Sequence, residues 1–329
     1  MKKILILGAI IVLVIGGFWV IRHRDTASSP AVTYAEVPSG SAYTPGTYSG
    51  TLATEDGRTR TYIIHIPTDF SPSKTYPLVM LFHGGGGTAP KILEQTHFDD
   101  KADAEGFILV APESTPGTNW NDGRGTTDAE QAGVDDVAFV RQLIADLELK
   151  LPIDKMRIYS TGPSNGGMMS ERLGCEASDI FAAIGPDVGP IPAPIYSTCK
   201  PGPIAVVGIQ GGADPFVPVG GGTLKSSGSM GAGGTVTSAA QTMTLWASAN
   251  HCSATPTITH LTPSVDDGTS VDTYTYTGCT SGKDVVYYIV QGMGHGWPPE
   301  NGRLKAAGSP SGNINATDVM WDFFATHTK

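Results

Sequence analysis

Apolar residues along this chain come in short runs separated by polar, glycine-rich stretches, a spacing that predicts short strands joined through helices and loops. Residues 78–82 (LVMLF) are apolar at every position, which predicts a central strand buried on both faces. Residues 60–66 (RTYIIHI), 107–111 (FILVA), 156–161 (MRIYST), 204–209 (IAVVGI) and 285–290 (VVYYIV) predict further buried strands. Residues 135–149 instead carry apolar side chains at helical spacing. Strands alternating with helical stretches predict an α/β class, with a mostly parallel central sheet and helices on both faces. No internal repeat is visible.

The N-terminus follows a different pattern. Lys2 and Lys3 precede an apolar run from Ile4 to Ile21, which Arg22, His23 and Arg24 close. As a helix this run spans roughly 27 Å, about the thickness of a bilayer's hydrocarbon core. Residues 1–24 therefore predict a membrane anchor (a transmembrane helix), with a cleaved export signal segment as the alternative. No small-x-small cleavage site follows, and charge on both flanks leaves the orientation open. Either way the remainder is expected to be extracytoplasmic. Residues 25–45 are rich in Ser, Thr, Pro and Ala and predict a flexible linker, so that one large domain covers residues 46–329. Residues 220–234 (GGGTLKSSGSMGAGG) are low in complexity and predict a mobile surface loop, or more sharply a substrate-covering flap.

Composition narrows the partners. A net charge of −10 with no cluster of Lys and Arg argues against nucleic acid, whose phosphates need clustered cations. The four cysteines, Cys175, Cys199, Cys252 and Cys279, show no CxxC or His-rich spacing, which disfavours a metal site. Four cysteines allow three pairings. Short neighbouring loops favour Cys175–Cys199 and Cys252–Cys279, and four buried free thiols are the competing state.

Candidate chemistry lies at the ends of the expected strands. Gly162-Pro163-Ser164-Asn165-Gly166 is a G-x-S-x-G match directly after the strand MRIYST and before a helical stretch. A strand-turn-helix elbow of this kind exposes a serine hydroxyl at the carboxyl edge of a sheet, which makes Ser164 a candidate nucleophile. A hydroxyl is a weak nucleophile at neutral pH and needs a base. Of the eight histidines, His295 is best placed, in a glycine-flanked loop after VVYYIV, whereas His251 and His260 have no such setting. The imidazole needs a carboxylate to hold its tautomer. Asp214 follows IAVVGI at a strand end and is the leading candidate, with Asp187 next and Asp179 also lying between serine and histidine. The order Ser, Asp, His is that of α/β-hydrolases. Residues 83–87 (HGGGG) follow the central strand, so the Gly85 N–H, paired with that of Asn165, is the candidate oxyanion hole. Trp120 and Trp297 are candidate walls of a substrate-binding pocket, against the alternative of buried core tryptophans.

These motifs resemble the polyhydroxybutyrate depolymerase-like esterases, a branch that also holds the feruloyl and acetyl-xylan esterases of carbohydrate esterase family 1. The resemblance runs from about Gly46 to the C-terminus. Its residues are GRTRTYIIHIP from Gly57, YPLVMLFHGGGG from Tyr76, WNDGRG from Trp120 and DDVAFVRQLI from Asp135. It continues with STGPSNGGMMSERLGCEASDIFAAI from Ser160, GADPFVP from Gly212 and GMGHGWP from Gly292. It implies the α/β-hydrolase fold and an exported serine ester hydrolase that needs no cofactor and cleaves a polymer or plant-cell-wall ester. It also supports pairing Cys252 with Cys279. Two positions depart from the pattern. Gln210 stands where the family commonly has histidine, and Pro163 replaces a large apolar residue before the nucleophile, which stiffens the elbow and bears on substrate preference. Within this reading, short-chain or hydroxycinnamoyl esters lead and aliphatic polyesters come second. A catalytically silent, membrane-tethered binding protein is the rival from another class.

Overall fold

The computed structural model describes residues 33–38, 43–225, 232–280, 282–299 and 305–329. One unit runs from Tyr34 to Lys329. Its first half contains strands β1 (Ala35–Glu36), β2 (Gly46–Ala53), β3 (Thr59–Ile66), β4 (Tyr76–Leu81), β5 (Ile108–Pro112) and β6 (Ile153–Pro163). The second half adds β7 (Ala183–Asp187), β8 (Ala205–Gly211), β9 (Gly222–Thr223), β10 (Thr235–Val236), β11 (Thr257–Leu261), β12 (Ser270–Tyr276) and β13 (Val285–Gln291). The helices are α1 (Ala89–Thr96), α2 (Phe98–Glu105), α3 (Asp128–Gln131), α4 (Asp136–Glu148), α5 (Asn165–Glu176), α6 (Ala193–Tyr196), α7 (Ala239–Ala249) and α8 (Ala316–Ala325).

Eleven strands form one sheet in the order β1-β2-β3-β5-β4-β6-β7-β8-β13-β12-β11. From β5 to β13 every pairing is parallel, and antiparallel strands flank this centre. The physical reason is coverage. Strands β4, β5, β7 and β8 are buried at every position, because helices cover both of their faces. On one face α4, α5 and α7 pack Phe139, Leu143, Leu173 and Trp246 against Met80, Ile158 and Val206. On the other, α1, α2 and α8 pack Ile92, Phe98, Met320 and Phe324 against Val79, Tyr159 and Val207. The outer strand β11 is exposed throughout.

Local chemistry starts the helices where the chain must turn back. Asp135 caps α4 by accepting from the Ala138 N–H at 2.9 Å. Ser238 and Gln241 form a reciprocal capping box at the start of α7. A buried ion pair joins β3 to α4, with Arg60 Nη2 2.7 Å from Asp136 Oδ1 and the guanidinium over the Phe139 ring at 3.8 Å.

Two expectations about the N-terminal region are affected. The folded unit begins before residue 46, because Ala35–Glu36 pairs with β2, the Val37 N–H bonds the Ser49 carbonyl at 2.9 Å, and Tyr43 is buried in the core. That part of the expected linker is structure, held by strand pairing and an aromatic anchor. The expected anchor or signal segment, residues 1–24, lies outside the described residues. Among the described residues no helix is long and apolar enough to cross a membrane.

Candidate active site

The carboxyl ends of β6, β7, β8 and β13 point the same way, because these neighbours are parallel. Ser164 follows β6, Asp214 follows β8 and His295 follows β13, so one edge of the sheet carries all three.

Ser164 is held in an unusual backbone conformation, with φ 57° and ψ −120°. Residues other than glycine adopt such angles only where the surroundings impose them. Here its N–H bonds the Asp187 carbonyl and its own carbonyl receives the Met168 N–H, both at 2.8 Å, which starts α5. The turn is possible because β4 passes against it. A Cβ on Gly162 or on Gly166 would lie 2.1 Å from the Phe82 carbonyl oxygen, so both positions exclude any side chain. Ser164 is half-buried, and its hydroxyl has no hydrogen-bond partner among the described residues. Serine–histidine bonds of unliganded sites are often open and tighten only when substrate binds.

Asp214 and His295 do meet. His295 Nδ1 lies 2.7 Å from Asp214 Oδ2, and the other carboxylate oxygen accepts the Phe216 and Val217 N–H groups, each at 2.8 Å. Asp214 is thus a buried carboxylate with every partner aimed at its charge. Accepting from Nδ1–H leaves Nε2 with a free lone pair, the form in which imidazole acts as a base. The half-buried Phe216 ring stands edge-on to the imidazole, 5.5 Å between centres. Neither rival carboxylate bonds the imidazole among the described residues. Asp179 pairs with Arg141 at 2.7 Å on the surface. Asp187 ends β7, is fully buried, and neither of its carboxyl oxygens has a partner among the described residues. Burial first, and the neighbouring Asp214 charge second, push its pKa well up and keep it neutral.

Among the glycines after β4, Gly86 donates its N–H to the Thr118 carbonyl at 3.0 Å and Gly87 to that of Gly84 at 2.9 Å. The Gly85 N–H takes no partner among the described residues. The Asn165 N–H opens α5, where the first amides lack partners within the helix. His83 anchors the loop. It is buried, its Nδ1 lies 2.8 Å from the Gly84 carbonyl, and burial holds its pKa down at about 4, so the ring is neutral and Nδ1–H donates.

The two tryptophans do not form walls. Trp120 is 0% exposed, and its indole N–H bonds the His83 carbonyl at 2.9 Å. Trp297 is 1% exposed, bonds Thr317 Oγ1 at 2.9 Å and packs against Phe98. Both indoles are packed in the core, and Phe216 is the aromatic that borders the histidine. Sequence reasoning missed Phe216, although its position two residues after Asp214 was a usable signal. It also assigned no role to Asp122 and Arg124 in the WNDGRG run. All four cysteines are paired, Cys175 with Cys199 and Cys252 with Cys279, as the short loops favoured. No cluster of three or more His, Cys, Asp and Glu that could hold a metal ion occurs among the described residues.

A parallel-centred sheet with a serine elbow and an Asp–His pair on one edge defines the α/β-hydrolase type of architecture. A solved acetyl xylan esterase from Aspergillus awamori has this fold, with a TM-score of 0.55 at 14% identity, over 84% of this chain and 99% of that one. In sequence, the chain is 29% identical to a protein named "Putative esterase NocK" from Nocardia uniformis subsp. tsuyamanensis, over 81% of this chain and 79% of that one. It is 30% identical to feruloyl esterase B of Piromyces equi over 72% of its own length, and spans 42% of that longer protein. No family model matches the chain. Relatives named esterase and feruloyl esterase, with esterases among the solved folds, support a carboxylic ester hydrolase.

Proposed function

We propose that the chain is a serine ester hydrolase working by two-step acyl transfer. The observation that carries this reading is the 2.7 Å bond between buried Asp214 and His295, on the same sheet edge as the positive-φ Ser164. His295 Nε2 takes the Ser164 proton as the oxygen attacks the ester carbonyl carbon. The Gly85 and Asn165 N–H groups receive the oxyanion, and His295 returns the proton to the departing alcohol. A water deprotonated by His295 then attacks the acyl-serine, and the imidazolium returns that proton to Ser164 Oγ as the acid leaves. Throughout, Asp214 offsets the charge that forms on the imidazole.

The proposed substrates are short-chain or hydroxycinnamoyl esters. Names of the relatives favour this class, and the Phe216 ring offers a flat apolar neighbour to the reacting group. The proposed location is extracytoplasmic, which two disulfides favour, since such bonds persist in oxidising compartments. Ser164→Ala should lower turnover of p-nitrophenyl acetate by a factor on the order of 10⁴ to 10⁶. The parent should react with a fluorophosphonate and the variant should not. Near-normal hydrolysis by Ser164→Ala would falsify the assignment.

A further inference from the structure

We propose that Asp122, Arg124 and the side chain of Asn165 form a positioning brace that sets the distance between the two oxyanion donors. This rests on the hydrolase reading above. Asn165 contributes more than a backbone N–H. Its side chain is 2% exposed, and Oδ1 accepts the Trp120 N–H at 2.7 Å. Its Nδ2 donates to Asp122 Oδ2 at 2.5 Å and to the Trp120 carbonyl at 3.3 Å. Asp122 is fully buried and is met by Arg124 Nε at 2.8 Å, and the Arg124 backbone N–H reaches its second oxygen at 3.1 Å. Arg124 Nη1 continues to the Gly233 carbonyl at 3.0 Å, next to β10.

The same segment also grips the opposite donor. Trp120 Nε1 bonds the His83 carbonyl at 2.9 Å, and the Thr118 carbonyl receives the Gly86 N–H at 3.0 Å. The Gly85 loop and the first residue of α5 therefore hang on one short stretch, residues 118–124, stiffened by a buried ion pair. Two N–H groups from separate elements stabilise an oxyanion only if both point at one spot to within a fraction of an ångström, so a shared mount is what the reaction requires. Through the Gly233 carbonyl the ion pair is also tied to the segment that leads into β10.

Asn165→Ala keeps the backbone N–H and cuts both side-chain links. With p-nitrophenyl acetate its kcat should fall by roughly 100-fold, on the scale of one lost oxyanion donor, with KM within about threefold. Inhibition by phenylboronic acid, whose serine adduct places an oxygen in the same hole, should weaken by a comparable factor. Arg124→Lys retains the charge without the fork and covers the case in which Asn165→Ala does not fold, with kcat expected to drop at least about tenfold at unchanged KM. Folded variants with kcat and boronate affinity within about threefold of the parent would overturn the brace. If Ser164→Ala in the same series stays active, the hydrolase reading itself has failed, which is a separate result.

Discussion

Replacing Glu171 with glutamine should stabilise the protein near neutral pH, and by an amount that grows with pH. Glu171 lies on α5 and is fully buried, with Oε2 accepting from the Trp246 indole at 2.7 Å and Oε1 3.2 Å from the Tyr287 hydroxyl. No cation accompanies it among these partners, and burial pushes its pKa from an ordinary 4.5 up to about 8. Below pH 4.5 the folded and unfolded chains both hold the proton, and the group costs nothing. Between 4.5 and 8 the unfolded chain releases the proton while the folded one retains it. Stability then falls by about 1.4 kcal/mol for each pH unit. At pH 7, two and a half units above 4.5, the loss is about 3 kcal/mol, and it levels off above pH 8. Glutamine has the shape of the protonated acid: its carbonyl accepts from Trp246 and its amide donates to Tyr287. The variant should therefore gain about 2–3 kcal/mol at pH 7 and almost nothing near pH 4. Urea unfolding of parent and variant, measured side by side across this range, isolates the group, because all other titrations cancel in the difference. A difference that does not change with pH, or a glutamine variant less stable at pH 7, refutes the reasoning.

Other expectations concern different contacts. His83 is held neutral by burial with a pKa near 4, so stability should be lost as pH falls from 6.5 towards 4, by up to about 3 kcal/mol. His83→Gln should flatten that acid limb in unfolding curves, and an unchanged limb would count against it. Arg60→Met strands the buried Asp136 carboxylate and should cost about 3–5 kcal/mol in denaturant unfolding, whereas a loss under about 1 kcal/mol would mean the pair is idle. Cys252→Ser with Cys279→Ser opens a loop of sequence separation 27 and should cost about 3 kcal/mol, read as a drop in the thermal midpoint.

How much of this was legible in the residues follows their physics. Strands β4, β5 and β8 were readable because burial on both faces demands nearly continuous apolar runs, β3, β6 and β13 because their buried stretches carry shorter ones, and α4 because its apolar stripe has helical spacing. Strands β11, exposed throughout, and β12, mostly half-buried, were not, since such positions admit Thr, His, Ser and Asp where a core strand would show Val and Ile. Helix α5 carries Gly166, Gly167 and Gly174, poor helix formers that close packing makes necessary, so its periodicity is blurred. At the site, strand ends singled out Ser164, Asp214 and His295. Asp187 also ends a strand, and what separates it from Asp214 is the imidazole of His295 together with the Phe216 and Val217 N–H groups, all of which meet Asp214. The tryptophans show the same limit, because a sequence names an indole but not which way it turns.

The two disulfides sit far from the edge that bears Ser164. Cys175 lies in the last turn of α5, whose first turn begins at that edge, and Cys279 follows Tyr276, the partner of Val285 at the start of β13. The covalent fastenings thus belong to the foot of the sheet, and the reacting groups to its top. A thiol that opened both bonds would leave the hydroxyl, imidazole and carboxylate untouched. Cold turnover would persist while resistance to heat and proteases declined, so redox conditions would govern how long the molecule lasts rather than what it does.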